Sequence, residues 1–599
     1  MATTHQVLLF LLVLACAGAA ARGFYLPGVA PADFRKNDTL AVKVNQLSSV
    51  KTHVPYSYYS LPFCRPVAIA NSAENLGELL RGDLTENSPY LFEMMEPKPC
   101  QVVCRIVLSQ QEANDFREKI DDEYRVNMIL DNLPMVIPIK RGDEAPPFYQ
   151  QGVHVGVKGQ HAGSKDWSYF IHNHLSFLVK YNKDANTGLA RIVAFEVKPF
   201  SVKHEHEANK EIIFTYDVNF EESDIKWESR WNTYLDTPDD HWFYIVNSLI
   251  TVLFLSVVVA MIMLRTLYRD ISMYNQLENQ EEAQEESGWK LLHGDVFRPP
   301  VNADLLCMYV GTGVQFFGML LATLLIAALG LLSPSNRGGF MTAMLLLWVS
   351  MGLFAGYSTG RLYKMFRGSE WKKVAIKTAL MFPGAVFIIF FALNILLWVE
   401  KSSRAVPFTT MFALVFLWLG ISLPLIFIGS FLGFKKPAID DPVRTNKTPR
   451  PIPEQPWYMN PAISILLGGI LPFSAVFVEL FYVLTTIWTH QFYYMFGIVF
   501  LVFVILMTTC AEITIVLCYF QLCNEDYRWW WRSYLTSGSS ALYFFVYATR
   551  LQITKAVSCM LYFGYMFAVS YAFFVLTGTI GFYACLWFTR LIYSSVKTD

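Results

Sequence analysis

The sequence predicts a membrane protein made of a mainly-β lumenal N-terminal domain followed by an all-α bundle of nine transmembrane helices. Of its 599 residues, 54 % are hydrophobic and only 16 % charged, well short of the roughly 25 % charged residues usual in soluble proteins. Short alternating runs of polar and apolar residues fill 22–240, and long apolar stretches fill 241–599. The net charge of −1 excludes nucleic acid as a partner class, because that binding rests on a marked excess of Lys and Arg.

The N-terminus, "MATTHQVLLFLLVLACAGAAARGFYLPG", has an apolar core from Val7 to about Ala17, then small residues Ala19 and Ala21 at the spacing a signal peptidase accepts. Such a core is too short to cross ~30 Å of hydrocarbon. Residues 1–21 are therefore expected to be a cleaved signal peptide that opens the secretory pathway.

Residues 22–240 are expected to form a lumenal, β-sandwich-like domain. "SYFIHNHLSFLVKY" and "RIVAFEVKPFSV" flank "NKDANTG" and predict two strands and a turn. "TLAVKVNQLSS" predicts a strand with Val42 and Val44 on one face, and "SQQEANDFREKIDDEYRV" a helix with Phe116, Ile120 and Tyr124 at helical spacing. Of ten cysteines, Cys16 lies in the leader and six lie in or beside apolar stretches, which leaves Cys64, Cys100 and Cys104. In a strand rising ~3.3 Å per residue, Cys100 and Cys104 stand too far apart to pair. One disulfide is expected, from Cys64 to either Cys100 or Cys104, with one thiol left over. Asn37-Asp38-Thr39 is an acceptor sequence for glycosylation. His172 and His174 alternate on a predicted strand, and His204 and His206 repeat the spacing, so a metal site or pH sensor competes with ordinary exposed histidines.

Nine stretches are long enough to cross: 242–264, 310–332, 339–360, 374–398, 408–434, 462–487, 492–520, 534–552 and 557–588. With residues 22–240 in the lumen, eighteen Lys and Arg fall on the cytosolic side, and the lumenal loops carry only Arg337, Lys401, Arg404, Arg550 and Lys555. The excess sets the orientation and leaves the C-terminal tail in the cytosol. Asn446 is then cytosolic, and its sequon is expected to stay bare.

Within the spans, Glu479 and Glu512 are ionisable groups where ionisation is costly, and Pro383, Pro424 and Pro472 interrupt helices. They support a reading as an ion or solute transporter; internal pairing and ordinary kinks are the plainer explanation. His293 and Asp295 in "GWKLLHGDVFRPP" resemble an acid–base pair, but no nucleophile motif, phosphate loop or metal-spaced set accompanies them. No enzyme and no cofactor are expected. The apolar Trp289, Leu291, Leu292, Val296 and Phe297 suggest instead a loop docked on the spans, turned at Gly294. Small residues in "GTGVQFFG", "GLFAGYSTG" and "SGSSA" suit close helix packing, internal or with the spans of other proteins.

These blocks resemble the transmembrane nine superfamily, also called nonaspanins or endomembrane proteins. The likeness runs through "FYLPGVAP", "YYSLPFCRP", "AENLGELLRGD", "GWKLLHGDVFRPP", "LPFSAVFVELFYV", "CAEITIVLCYFQLCNEDYRWWWRSY" and the terminal Lys597-Thr598-Asp599. It implies a multi-pass protein of Golgi and endosome membranes that supports sorting of client transmembrane proteins. It also implies that COPI coat subunits read the tail through Lys597 and Asp599. The residues add a physical condition: a cation two positions before an acidic end, in a tail kept in water.

Overall fold

The computed structural model describes residues 31–595 apart from 73–74, 140–147, 161–166, 184–187, 202–210, 232–239, 278–287, 330, 333–337, 489–494 and 550–554. The leader, His204, His206, Lys597 and Asp599 lie outside the described residues.

Two sheets enclose the core of the N-terminal domain. In the larger, six strands run in the order Lys98–Val107, Glu211–Glu222, His174–Lys183, Ala190–Phe200, Val136–Ile139 and Phe148–Gln151. The smaller has four, Glu86–Glu93, Thr39–Val44, Met128–Leu130 and Leu133–Pro134. Alternation makes the sandwich: Leu175, Phe177 and Val179 turn inward from one sheet, Leu40, Val42 and Val44 from the other, and all are buried. Phe92 and Phe177 meet across the layer at 5.2 Å between ring centroids. A short helix α1, Leu76–Arg81, and a longer α2, Gln110–Asp121, complete the domain. At the start of α2, Ser109 and Glu112 form a reciprocal capping box, and Phe116 and Ile120 pack inward.

One predicted strand is two. "SYFIHNHLSFLVKY" breaks after Ile171: Trp167–Ile171 pairs with Gly156–Gln160, while His174–Lys183 enters the main sheet. Asn173 holds the break, since its side-chain amide donates to the Ile213 carbonyl at 3.0 Å and its own carbonyl accepts from Thr215. His172 and His174 therefore do not share a strand face.

The helical part comprises α3 (Asp240–Leu277), α4 (Ala303–Ala328), α5 (Gly339–Met365), α6 (Trp371–Val399), α7 (Phe408–Lys435), α8 (Pro461–Trp488), α9 (Met495–Cys523), α10 (Trp529–Gly538), α11 (Ser540–Ala548) and α12 (Ala556–Ser595). Among the described residues, seven helices are long and apolar enough to cross a membrane: α3 to α7, α9 and α12. The sixth predicted span coincides with α8, which runs from Pro461 to Trp488. The eighth is split at Ser539 into α10 and α11. Hydroxyls cause the break, with Ser539 donating to the carbonyls of Ile465 and Thr536, and Ser540 to that of Ser537. Pro383 and Pro472 lie inside continuous helices, whereas Pro424 follows a π turn, Leu417–Ser422, that widens α7.

The small residues of "GLFAGYSTG" serve packing within the chain. Gly356 of α5 lies on the Ile426 carbonyl of α7, and Gly429 of α7 lies on the Leu353 carbonyl of α5. A Cβ at either site would overlap main chain, so the two backbones approach as they do only where small residues repeat every fourth position.

The domain and the bundle meet in a hydrogen-bonded seam. Ser402 Oγ donates to the Pro55 carbonyl at 2.6 Å, the Ser403 amide donates to the same oxygen at 3.1 Å, and Ser558 Oγ donates to the Thr52 carbonyl. Val54 is buried among Leu393, Leu397 and Leu561. Lys555 Nζ bridges Asp122 at 2.5 Å and Glu118 at 3.1 Å. Gly77 N donates to Thr342 Oγ1 at 2.9 Å, at the start of α5.

Gly356→Val is expected to force α5 and α7 apart and to cost about 1–3 kcal/mol. A thermal-shift measurement on purified protein should show the melting temperature fall by several degrees, and the equivalent change at Gly384, which faces only the Trp418 ring at 3.7 Å, should leave it nearly unchanged.

Candidate functional site

The docked loop expected from "GWKLLHGDVFRPP" is present, and three consecutive indoles hold it. Trp529 Nε1 donates to the Val296 carbonyl at 2.9 Å, Trp530 Nε1 to that of Arg298 at 2.9 Å, and Trp531 Nε1 to that of Val301 at 2.7 Å. A buried indole needs an acceptor and an irregular loop has spare carbonyls, so each satisfies the other. Trp289, Leu292 and Val296 are buried. The Tyr593 hydroxyl, near the end of α12, donates to the Trp289 carbonyl at 2.6 Å. Ile592 and Tyr593 are buried and Ser594 and Ser595 exposed, so α12 ends beside this loop.

His293 and Asp295 make separate contacts within the loop. Asp295, 4 % exposed, accepts from Arg298 Nη2 at 2.5 Å and Nε at 3.1 Å, and from the Arg450 amide at 3.4 Å. His293 turns its Nδ1 toward the Lys290 carbonyl at 3.2 Å. Arg298 also donates to the Asn446 carbonyl, and the Asn446 amide donates to that of Gly294 at 2.7 Å, so the proline-rich connector is laced to the loop. Asp295 anchors two segments, its own loop and the proline-rich connector.

The two intramembrane carboxylates differ. Glu512 of α9 is half-buried and faces Ser256 of α3. Glu479 of α8 is 1 % exposed, and among the described residues neither of its oxygens has a hydrogen-bond partner. It lies beside the apolar cluster of Val476, Leu480, Ile505 and Cys510. A polar contact ties α3 to α9 where the Tyr519 hydroxyl donates to Asp270. The sequence reading missed that link and the indole row, although "WWW" at a predicted span boundary signals buried donors in search of carbonyls.

Comparison with known proteins agrees with this architecture. The Endomembrane protein 70 family profile matches residues 55–559. Transmembrane 9 superfamily member 9 of Arabidopsis thaliana is 67 % identical, covering 97 % of this chain and 96 % of its own length. Transmembrane 9 superfamily member 4 of Mus musculus is 46 % identical, covering 99 % and 98 %. The chain belongs to the transmembrane 9 superfamily. No solved structure matches it.

In this superfamily member the structure joins Cys64 to Cys104, with Cα atoms 5.8 Å apart. Cys100 is exposed and unpaired. The bridge ties the loop carrying Cys64 to the edge strand Lys98–Val107 of the main sheet. Asn37, the glycosylation candidate, sits in a turn with φ 68° and is exposed. Among the described residues no group of three His, Cys, Asp or Glu side chains converges as metal ligands. The histidines of the domain divide instead. His174 meets Thr215 Oγ1 at 2.8 Å and Asp217 at 3.2 Å. His172 and His154 line a small cavity with Tyr58, Tyr90, Asn173 and Phe214.

Burial pushes His172 down from 6.5 to about 4, helped by the nearby His154. His154 is lowered by burial and by Arg125, with Glu123 opposing. A histidine whose pKa drops on folding stabilises the native state above its unfolded value, and that contribution is lost as pH falls. The melting temperature of the full chain is expected to decline between pH 7 and pH 5, before most carboxylates titrate. His172→Phe should flatten that decline; a variant with the same pH slope as the parent would show that His172 does not carry it.

Proposed function

We propose that this protein supports the sorting and membrane localisation of other transmembrane proteins in Golgi and endosome membranes, and that COPI coat subunits retain it there by its C-terminal tail. The observation that carries the reading is the exposure of the first span. Only 6 % of the α3 window is buried, against 44 % for α4, and Phe254, Leu255 and Ile262 are exposed. Packed on the bundle through Leu249, Val252, Met263, Leu267 and Ile271 and tied to it at Asp270, α3 turns its other face outward and offers a client span a lateral surface in the plane of the bilayer. Superfamily membership supports a multi-pass endomembrane protein. The lumenal placement of residues 22–240, glycan at Asn37 and a cytosolic Lys597 and Asp599 rest on the charge distribution between spans.

Recognition of a short tail depends on a few charge-assisted contacts at a fixed distance from its end. Lys597→Ala is expected to shift the protein from the Golgi to later compartments, visible by microscopy, with an unchanged melting temperature. A tail peptide should bind coatomer and its Lys597→Ala form markedly less. Unaltered location together with equal peptide binding would refute retention by the tail.

Transport by intramembrane carboxylates is a second reading, favoured by the buried Glu479, whose oxygens have no hydrogen-bond partner among the described residues. Purified protein in liposomes would then show a reproducible proton or cation flux that Glu479→Gln or Glu512→Gln abolishes. Equal traces from parent, variants and empty vesicles would remove it.

A further inference from the structure

We propose that the neighbouring ends of α5, α6 and α7 form a binding site for the phosphorylated headgroup of an anionic membrane phospholipid. Its depth is right for one: the crossing stretch of α6 begins at Trp371, and those of α5 and α7 end at Met365 and Lys435. These residues lie where hydrocarbon gives way to headgroups.

The place is built around Trp371. Its ring lies 6.2 Å from that of Phe434 and 6.1 Å from that of Phe431, joining the start of α6 to the end of α7. Phe431 is 51 % exposed, which leaves an apolar surface for acyl chain directly below the headgroup level. Three exposed lysines lie at these helix ends, Lys372 at the start of α6 and Lys435 and Lys436 at the end of α7. Lys372 Nζ is 6.0 Å from the Trp371 ring, and Lys436 Nζ is 5.2 Å from that of Tyr357 on α5.

Those three cations have no carboxylate partner among the described residues, whereas others at this end of the bundle do. Lys373 pairs with Glu370 at 2.7 Å, Lys377 with Asp304, and Arg450 with Glu525 at 3.3 Å. Nor are they needed to cap the end of α7. Lys364 Nζ donates to the carbonyls of Phe434 and Lys436 at 2.7 Å each, and Arg361 donates to that of Pro437. With the helix carbonyls satisfied by α5, the ammonium groups of Lys372, Lys435 and Lys436 are left facing the interface as a concentrated positive charge. A phosphate monoester, carrying up to two negative charges and held at that depth by its acyl chains, is the complementary group. Zwitterionic headgroups bring no net charge to it.

The test uses the full chain in phosphatidylcholine nanodiscs, titrated with fluorescent short-chain phosphatidylinositol 4-phosphate and followed by anisotropy. Saturable binding that weakens with added salt is expected, and K372A/K435A/K436A should lower the affinity at least tenfold. The arginine triple, K372R/K435R/K436R, should keep most of it, and K198A/K226A on the β domain should change nothing. Parent-like affinity in the alanine triple at an unchanged melting temperature would overturn the proposal. Equal affinity for soluble inositol phosphate would overturn the assignment to a membrane lipid. If the alanine triple melts early, the arginine triple decides alone: loss of binding by a folded, equally charged variant refutes a site that reads charge.

Discussion

Three adjacent indole N–H groups, on Trp529, Trp530 and Trp531, hold one irregular segment against the helix ends, and the order of that end of the bundle depends on them. Beyond the 3-10 turn Gly288–Leu292 the segment has no helix or sheet to satisfy the carbonyls of Val296, Arg298 and Val301, and rings of that size are not buried with an unmade hydrogen bond at small cost. Mutual satisfaction fixes the loop on α10. Tyr593 then fixes the last turns of α12 to the same loop, and Asp295 brings in the connector through Arg298 and the Arg450 amide. Loops distant in sequence thus become a single surface at the end of α12.

The opposite end obeys the same rule with smaller groups. Hydroxyls of Ser402 and Ser558 take up the carbonyls of Pro55 and Thr52, and Val54 fills an apolar niche between α6 and α12. Lys555 reaches across to two carboxylates at the end of α2. Exposed ion pairs of this kind contribute little each, so registration of the β domain on the bundle rests mainly on the buried serine contacts and Val54. Between the two ends, α5 and α7 are locked by glycine against main chain. A molecule fastened at both ends and in the middle leaves its mobility to the periphery.

Length and apolarity made most of the helical part legible in the sequence, and alternation did the same for strands such as Thr39–Val44 and Ala190–Phe200. What stayed hidden depended on partners remote in the chain. Nothing local in "FIHNHLS" says that Asn173 will bond to Ile213 and break the strand. The choice between Cys100 and Cys104 required the register of Lys98–Val107 against Glu211–Glu222, where Cys104 pairs with Phe214. The split at Ser539 arose from a hydroxyl reaching Ile465 on another helix. His293 and Asp295 looked like chemistry because spacing alone cannot show that Arg298 already occupies the carboxylate.

The distribution of small residues bears on how client spans would be recognised under the proposed sorting role. Gly352, Gly356, Gly360, Gly429 and Gly433 all face the α5–α7 contact, so this close-packing surface is used within the chain. The surface that remains on α3 is made of Phe254, Leu255, Val257 and Ile262. Lipid tails are as apolar as these side chains, so replacing lipid by a client helix there gains little from burial itself. Selectivity on such a face must come from shape and from the few polar points near it, of which Asp270, bonded by the Tyr519 hydroxyl, ties α3 to the bundle. A client carrying a polar side chain at that depth would compete for this hydrogen bond, and one without would find only a surface interchangeable with lipid.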